Sequence, residues 1–392
     1  MITSEPSGQE FTGRSGDHDR APVRAWAVCI VTRAIIAGGG IVGLTAGRAL
    51  LRAGMEVLVT EKADAIRAAG ATLGLWGNAV SVFDDLDVDV RSVGREAEMY
   101  FHGTSGELLK TPEFGEEDHR YLLAHRASLN NLLAESVGYG NIRLEAAVAG
   151  FEEDQDSVAV RFSDGSSEEA DVLIGADGLY SKVRAQLFPG TEAQEHAGHR
   201  AWRAIVKAEH MDVPDDRLIV GGKHRTRGGY VRAPDGAVFW LLSQFGAPAP
   251  AASAKEECLT RSAWLTDGTW DCKLTELIDA TPEQDILRNQ IMVVPPLNRW
   301  VSPRVALIGD SAHAMSPHIT AGASLGVEDV GVLRDKLSSD ADPTTALKEY
   351  EADRLPRYRQ SAVLSRAVEV TETPEDFARN YAAFSHWLLT GR

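Results

Sequence analysis

AIIAGGGIVGLTAGRALLRAG, Ala34 to Gly54, is the stretch from which the fold is read. Its first four residues are a short apolar run of strand type, Gly38-Gly39-Gly40-Ile41-Val42-Gly43 is a GxGxxG turn, and the remainder has helical periodicity. The glycines serve different purposes. Gly38 permits the tight turn, Gly40 lets backbone approach a pyrophosphate, and Gly43 lets the helix pack close to the strand. The helix N-terminus then offers free N–H groups and a positive dipole end to phosphates. Glu56 to Thr60 reads as a second strand, and it ends at Glu61, eighteen residues beyond Gly43, where a carboxylate can accept hydrogen bonds from both ribose hydroxyls of an adenosine. These residues predict a dinucleotide-binding βαβ unit and leave NAD and FAD both open.

Two later segments repeat the theme of a buried strand that ends in an acid. Ser166 to Ser181, SSEEADVLIGADGLYS, carries the apolar run Val172-Leu173-Ile174, delivers Asp177-Gly178 into a loop, and continues into a helix opened by Ser181 and Arg184. Arg304 to Ile308 delivers Gly309-Asp310 into Ser311 to Pro317, followed by a helical segment from Ser324 to Leu337. A carboxylate at the end of a central strand is well placed to accept from a ribityl or ribose hydroxyl.

The ordered set GGGIVG with Glu61, then DVLIGADGLYSKVR, then RVALIGDSAHAMSP followed by TAGASLGVEDV, closely resembles the group A FAD-dependent monooxygenases, the para-hydroxybenzoate hydroxylase-like family. The resemblance runs from about Arg33 to about Arg357. It implies an α/β fold: a Rossmann-like FAD-binding domain of the GR2 type with an inserted antiparallel-sheet substrate domain and C-terminal helices. It also implies FAD as cofactor, NAD(P)H as a transient reductant without its own Rossmann domain, and O2 as co-substrate. The implied reaction is hydroxylation of an aromatic or other electron-rich small molecule through a flavin C4a-hydroperoxide. Epoxidation, Baeyer-Villiger chemistry and a geranylgeranyl reductase-like activity are alternatives on the same fold. Carried over residue by residue, the cofactor positions are Gly38, Gly40, Gly43, Glu61, Lys62, Arg126, Asp177, Gly309, Asp310, Pro317, Gly322, Ala323 and Ser324. AHRASLNNLLAE supplies Arg126, with Ser128 as the expected N-cap and Leu129, Leu132, Leu133 and Val137 on one face. The chain departs from the family at three places: Lys62 stands where arginine is usual, Thr320-Ala321-Gly322 replaces Gly-Gln-Gly, and Gly77-Asn78 replaces Pro-Asn.

From Arg200 to about Val294 the pattern becomes one of alternating strands, at 200–208, 217–220, 229–232 and 238–242, read as an antiparallel sheet covering the flavin. Trp202, Tyr230, Phe239, Trp240 and Phe245 are candidate walls for a planar substrate. GGKHRTRGG at 221–229 is a basic, glycine-flanked turn, and the family resemblance implies an arginine here that reaches toward the flavin face and substrate, for which Arg227 is the candidate and Arg225 its rival. His318, directly after Pro317, is a second catalytic candidate. Gly322-Ala323-Ser324-Leu325-Gly326 also matches the GxSxG elbow of serine hydrolases, but no apolar strand precedes it and only His386 follows.

Composition narrows the classes further. With 40 Lys+Arg against 57 Asp+Glu, the formal charge of -17 repels nucleic-acid phosphates and anionic membrane surfaces. Cys29, Cys258 and Cys272 are too few and too scattered for a disulfide framework or a zinc site, which fits a reducing, cytoplasmic setting. Ala25 to Leu44, the longest apolar stretch, is broken by Arg33 and glycines and is neither a membrane span nor a signal peptide. The expected division is a disordered N-terminal extension at 1–32, the first part of the FAD-binding domain with interleaved substrate-domain strands at 33–196, and the substrate sheet at 197–294. The second part of the FAD-binding domain at 295–340 and a C-terminal helical segment at 341–392 complete it.

Overall fold

Three buried apolar runs meet side by side at the centre of the fold. In the computed structural model, which describes residues 32–67, 72–208, 210–214, 217–233, 235–250, 252–339 and 342–391, β1 (Arg33–Ala37) lies parallel to β2 (Glu56–Thr60) on one side and to β10 (Val172–Gly175) on the other. With β16 (Val305–Leu307) beyond β10 and β6 (Ile142–Arg143) beyond β2, they make a five-stranded parallel sheet. The strands expected at 304–308 and 172–174 thus appear with edges shifted by one residue. The expected extension at 1–32 falls, apart from Thr32, outside the described residues.

Helix α1 (Ile41–Arg52) packs on this sheet with α3 (Arg126–Val137) and α8 (Ala321–Leu337) beside it, α2 (Gly77–Asp85) packs on α8, and the short α4 (Lys182–Leu187) follows β10. The α3 cap differs from the expectation. Its N-cap is His125, whose Nδ1 accepts from the Ser128 amide, because the helix begins at Arg126 and puts Ser128 inside its first turn. Helix α8 begins at Ala321, three residues before the expected Ser324, since Thr320 adopts φ 56° and turns the chain directly into it.

The second sheet has eight strands drawn from two distant parts of the chain. β3 (Thr72–Leu75), β5 (Arg120–His125) and β4 (Gly94–His102) come from the first third; β12 (Arg217–Gly221), β13 (Thr226–Arg232), β14 (Val238–Gln244), β11 (Gln194–Val206) and β15 (Leu287–Val293) come from the later segment. The join is β4 against β12, which run parallel with Met99 opposite Arg217 and His102 opposite Val220. The interleaving expected within 33–196 therefore takes the form of three strands, and the inserted sheet itself starts at Gln194. A small antiparallel sheet of β7 (Val148–Glu153), β8 (Val158–Phe162) and β9 (Ser167–Ala170) flanks the first sheet.

Alternation along the large sheet divides its side chains between two environments. Trp202, Trp240 and Leu242 enter a core closed by α5 (Ala254–Ser262) and α6 (Leu274–Ala280), where Trp202 Nε1 donates to Glu257 at 3.0 Å and Trp240 Nε1 to Thr281 Oγ1 at 2.9 Å. Ala201, Arg203, Phe239 and Leu241 face the other way, toward the first sheet. Between the two layers lies the main cavity. Helices α9 (Pro343–Glu369) and α10 (Pro374–Thr390) close the back, and α10 packs its Phe377, Tyr381 and Phe384 against β4 and β12.

Candidate active site

Glycine geometry builds the first end of the cavity. Gly38 has φ 111°, and a Cβ there would sit 2.3 Å from the Ala176 carbonyl oxygen; a Cβ on Gly43 would sit 1.9 Å from that of Gly38. Both positions therefore require glycine. A Cβ on Gly40 would meet nothing within 4 Å, so the backbone faces open space, and Gly40 caps α1 without a side-chain hydrogen bond. The first amides of α1 thus open toward the cavity, as an anion site requires. Glu61 braces the same turn, accepting from the Gly39 amide with Oε2 and from the Ala63 amide with Oε1, both at 2.9 Å. Lys62 beside it is exposed and is not part of the cavity wall.

The second end is formed by β16 and α8. Gly309 takes φ 56° and donates its amide to Asp329 Oδ2 at 2.9 Å, and this turn presents Asp310 to the cavity. Asp310 is exposed and forms no hydrogen bond with a described residue. Gly322 and Ala323, in the first turn of α8, stand opposite, and a Cβ on Gly322 would be 3.8 Å from Asp310 Oδ1. No side chain caps α8, and the buried Thr320 Oγ1 has no partner. Pro317 lines this end; the backbone of His318 lies in the same 317–319 turn, and its side chain falls outside the described residues.

Behind this end is a buried ionic group. Asp329 Oδ2 lies 2.6 Å from His313 Nε2, Asp329 Oδ1 lies 2.8 Å from Arg354 Nε, and Arg354 Nη1 reaches Glu328 at 3.0 Å. Burial alone opposes ionisation of Asp329, but the charges of His313 and Arg354 and the hydrogen bonds from His313 and Gly309 outweigh it and hold the carboxyl below the usual range.

Several expected positions are used differently. Asp177 turns its carboxylate to its own loop, accepting from the Lys182 amide at 2.7 Å, the Val183 amide at 3.2 Å and Ser311 Oγ at 3.1 Å. Ser324 is fully buried and accepts from the Trp76 amide at 3.1 Å, so it holds β3 against α8 and is no nucleophile elbow. Arg126 lines the cavity. Arg227 lies on the cavity-facing side of β13, opposite Ser243, but its Nη2 donates to the Val368 carbonyl at 3.0 Å and to Thr371 Oγ1 at 2.5 Å, at the joint of α9 and α10. Its guanidinium sits 4.4 Å from the Phe377 ring centre and 4.9 Å from that of Phe245. Nη1 is buried without a partner, beside a small cavity that shares Leu241 and Ser243 with the main one. Arg225 donates to the Glu369 carbonyl at 2.7 Å. Of the five aromatic residues expected as walls, Phe239 faces the cavity, Trp202 is among its lining residues although its indole is buried in the far core, and Phe245 backs it by stacking under His199 with ring centres 3.9 Å apart.

Two cavity residues were missed. Arg203, on β11, is half-buried and forms no hydrogen bond or ion pair with a described residue; burial and then the like charge of Arg126 lower its pKa. His199 lines the cavity and places Nδ1 2.9 Å from Ser316 Oγ. The signal was present in β-alternation: with Trp202 assigned to the far core, His199, Ala201 and Arg203 must share the other face.

The cavity holds about 460 Å³ and runs from Gly40 to Gly322 between a glycine turn on a helix N-terminus and a second open helix N-terminus. An unpartnered carboxylate at Asp310, an orphaned hydroxyl at Thr320 and an unfilled cradle at Gly40 fit a pyrophosphate-bearing cofactor with a polyol chain and a flat ring. That set defines a flavin-dependent oxidoreductase. Residues 31–365 match the FAD binding domain family, and the chain belongs to it. It is 34% identical, over 82% of this chain and 85% of the relative, to an aurachin C monooxygenase/isomerase of Stigmatella aurantiaca. To a 3-hydroxybenzoate 6-hydroxylase of Aquipseudomonas alcaligenes it is 32% identical, over 85% and 87%. The solved structure of Klebsiella pneumoniae HpxO with FAD and uric acid superposes with a TM-score of 0.76 at 27% identity, covering 91% of this chain and 93% of that one. The protein is an FAD-dependent monooxygenase, as the motif resemblance implied. No described helix is long and apolar enough to cross a membrane.

Proposed function

We propose that this monooxygenase hydroxylates a small aromatic molecule carrying an anionic group, at the expense of NAD(P)H and O2. The observation that carries the reading is Arg203, a guanidinium with no carboxylate partner among the described residues, in a cavity whose apolar lining includes Leu73, Leu123, Phe239, Leu241 and Met315. A largely apolar slot with an unpaired guanidinium beside it suits an aromatic carboxylate or acidic phenol, because a guanidinium pairs both oxygens of such a group. Relatives named for 3-hydroxybenzoate and urate support the same substrate class.

FAD, when bound, supplies the oxygen-activating chemistry. The protein's part is to orient and to exclude water. In this reading Gly38, Gly40, Gly43 and Arg126 hold the pyrophosphate side, Glu61 the ribose, and Asp310 the polyol chain. The open N-terminus of α8 at Gly322 and Ala323 stabilises negative charge on the reduced ring. Arg227 orients the far end of the substrate through its unpartnered Nη1, and His318 is the second catalytic candidate. Free buried thiols at Cys258 and Cys272 support a reducing, cytoplasmic setting.

The test is NAD(P)H oxidation and oxygen uptake across hydroxybenzoates, simple phenols, polyketide aromatics and purines, for the parent and Arg203→Gln. An acidic aromatic should stimulate both rates, and Arg203→Gln should raise its KM at least tenfold while leaving a neutral phenol unchanged. Equal KM values for the acid in both proteins would overturn the role of Arg203. Absence of stimulation by any aromatic compound would overturn the reaction.

A further inference from the structure

Strand β13 has a second use on its other face. Gly229 and Val231 sit on the side of the main cavity, whereas Tyr230 points outward into a separate cleft of about 390 Å³. Its wall is formed by Tyr100, His102, Tyr230 and Trp270, with Asp212, Pro214, Asp271 and Lys273 completing the lining. Register explains the assembly: Leu218 is opposite Tyr230 and also opposite Tyr100, so the two tyrosines share a face two strands apart. That separation is about 10 Å at strand spacing, so the two side chains flank the cleft rather than touch. His102 lies flat against Trp270, with ring centres 5.3 Å apart and planes at 21°, and its Nδ1 is fixed 3.0 Å from the Gly106 carbonyl.

Three features mark a binding site. Tyr230 is only 3% exposed, yet its hydroxyl forms no hydrogen bond with a described residue and opens on the cleft. A phenol buried to that degree is normally paired. Burial first, and then Cys272, Asp271 and Asp212, push its pKa up, so it remains an O–H donor at any working pH. Next, Asp212 has no ion-pair partner among the described residues, while Lys273 is engaged by Asp271 at 2.8 Å and Glu276 at 2.9 Å. The edge therefore carries a net negative charge. Finally, the aromatic rings of Tyr100 and Trp270, with a carboxylate that has no ion-pair partner among the described residues, are the chemistry that holds organic cations, through the ring quadrupoles and the charge together.

We propose that this cleft is a second, non-catalytic binding site for a flat organic cation of the pyridinium or aromatic ammonium class. The ring stacks between Tyr100 and Trp270, a polar substituent receives the Tyr230 hydroxyl, and the positive charge faces Asp212. The site is separated from the oxygenation cavity by the thickness of the sheet. It is close to it in the chain, since Tyr230 adjoins Val231 of the cavity wall.

The FAD-loaded enzyme should be titrated with 1-methylnicotinamide, neutral nicotinamide and anionic nicotinate, three ligands of one ring shape and different charge, by calorimetry and by quenching of tryptophan fluorescence. The cation should bind saturably, the neutral ring at least tenfold more weakly, and the anion not at all. Trp270→Leu and Tyr230→Phe should each weaken the cation fivefold or more. Asp212→Asn, an exposed change that leaves folding and unstimulated NAD(P)H oxidation intact, should weaken it at least threefold. Arg203→Gln, in the other cavity, should leave it unchanged. Competition by NAD+ assigns the natural cation to the nicotinamide ring, and its absence assigns it to a free aromatic amine; both are forms of the proposal. Equal binding of neutral and charged rings, or binding that survives Trp270→Leu and Asp212→Asn, would overturn it. So would binding lost in Arg203→Gln.

Discussion

Asp329 Oδ2 accepts the Gly309 amide at 2.9 Å while lying 2.6 Å from His313 Nε2, so one buried carboxylate fixes both ends of the short helix α7 (Asp310–His313). The turn that presents Asp310 is therefore set by charges that never reach the cavity. Asp329→Asn leaves His313 and Arg354 facing a neutral amide, and breaking such a buried pair costs on the order of 3–5 kcal/mol. Thermal melting should show that loss, accompanied by weaker flavin retention. The folded pKa of Asp329 is depressed, so its stabilisation is fully present above the ordinary value of 3.8 and fades as pH falls through the lower folded value. Acid unfolding of the parent should carry this step, and the Asn variant should lack it.

Asp310→Ala and Asp177→Ala should behave oppositely. Asp310 is exposed in the cavity and unpartnered, so its removal should cost bound flavin and leave the melting temperature of the flavin-free protein almost unchanged. Asp177 accepts two backbone amides and Ser311, so its removal should lower melting by about 1–3 kcal/mol equivalent. Flavin content and melting measured on both proteins separate the two roles; a matching pattern would remove the cofactor assignment of Asp310.

Glu61→Ala should weaken flavin binding by about 1.5–3 kcal/mol in a fluorescence titration, since a charged acceptor is lost. It should also loosen the glycine turn, because Gly39 and Ala63 both donate to it. Lys62→Ala, at an exposed side chain off the cavity wall, should change flavin affinity little.

Arg227→Ala tests an arginine whose pKa burial, and then Arg225, lower to about 10, still a cation at neutral pH. The variant should retain FAD and release more hydrogen peroxide per NAD(P)H consumed, because a displaced substrate no longer intercepts the activated oxygen; small displacements cost about 10²-fold in rate. It should also melt earlier, through loss of the Val368 and Thr371 contacts. Earlier melting with unchanged coupling would make Arg227 a clamp for α9 and α10 alone.

The parallel sheet and its glycine turn were legible because each depends on local pattern: apolar runs of strand length and glycines where a Cβ has no room. Glu61, Asp310 and the first turn of α8 followed from the same strand ends. Arg203 and His199 were hidden because their significance depends on which face of β11 meets the flavin layer, and that is decided by α5 and α6 claiming Trp202. The hydrogen bonding of the Asp177 carboxylate was likewise not legible. The amides of Lys182 and Val183, five and six residues on, both donate to it, a local pairing set by the loop and not by the strand pattern.

The parallel seam between β4 and β12 also orders the events of biosynthesis. As the chain emerges, β3, β4 and β5 can pair early, but the edge of β4 stays bare until β12 arrives from beyond Arg217. The last parallel strand, β16, comes later still. Such long-range pairing is slow and leaves an adhesive strand edge in the meantime. A ribosome-bound fragment ending before β12 should thus be aggregation-prone and unable to take up flavin. Chaperone supply and translation speed should then govern the yield of yellow protein more than the stability of the finished enzyme does.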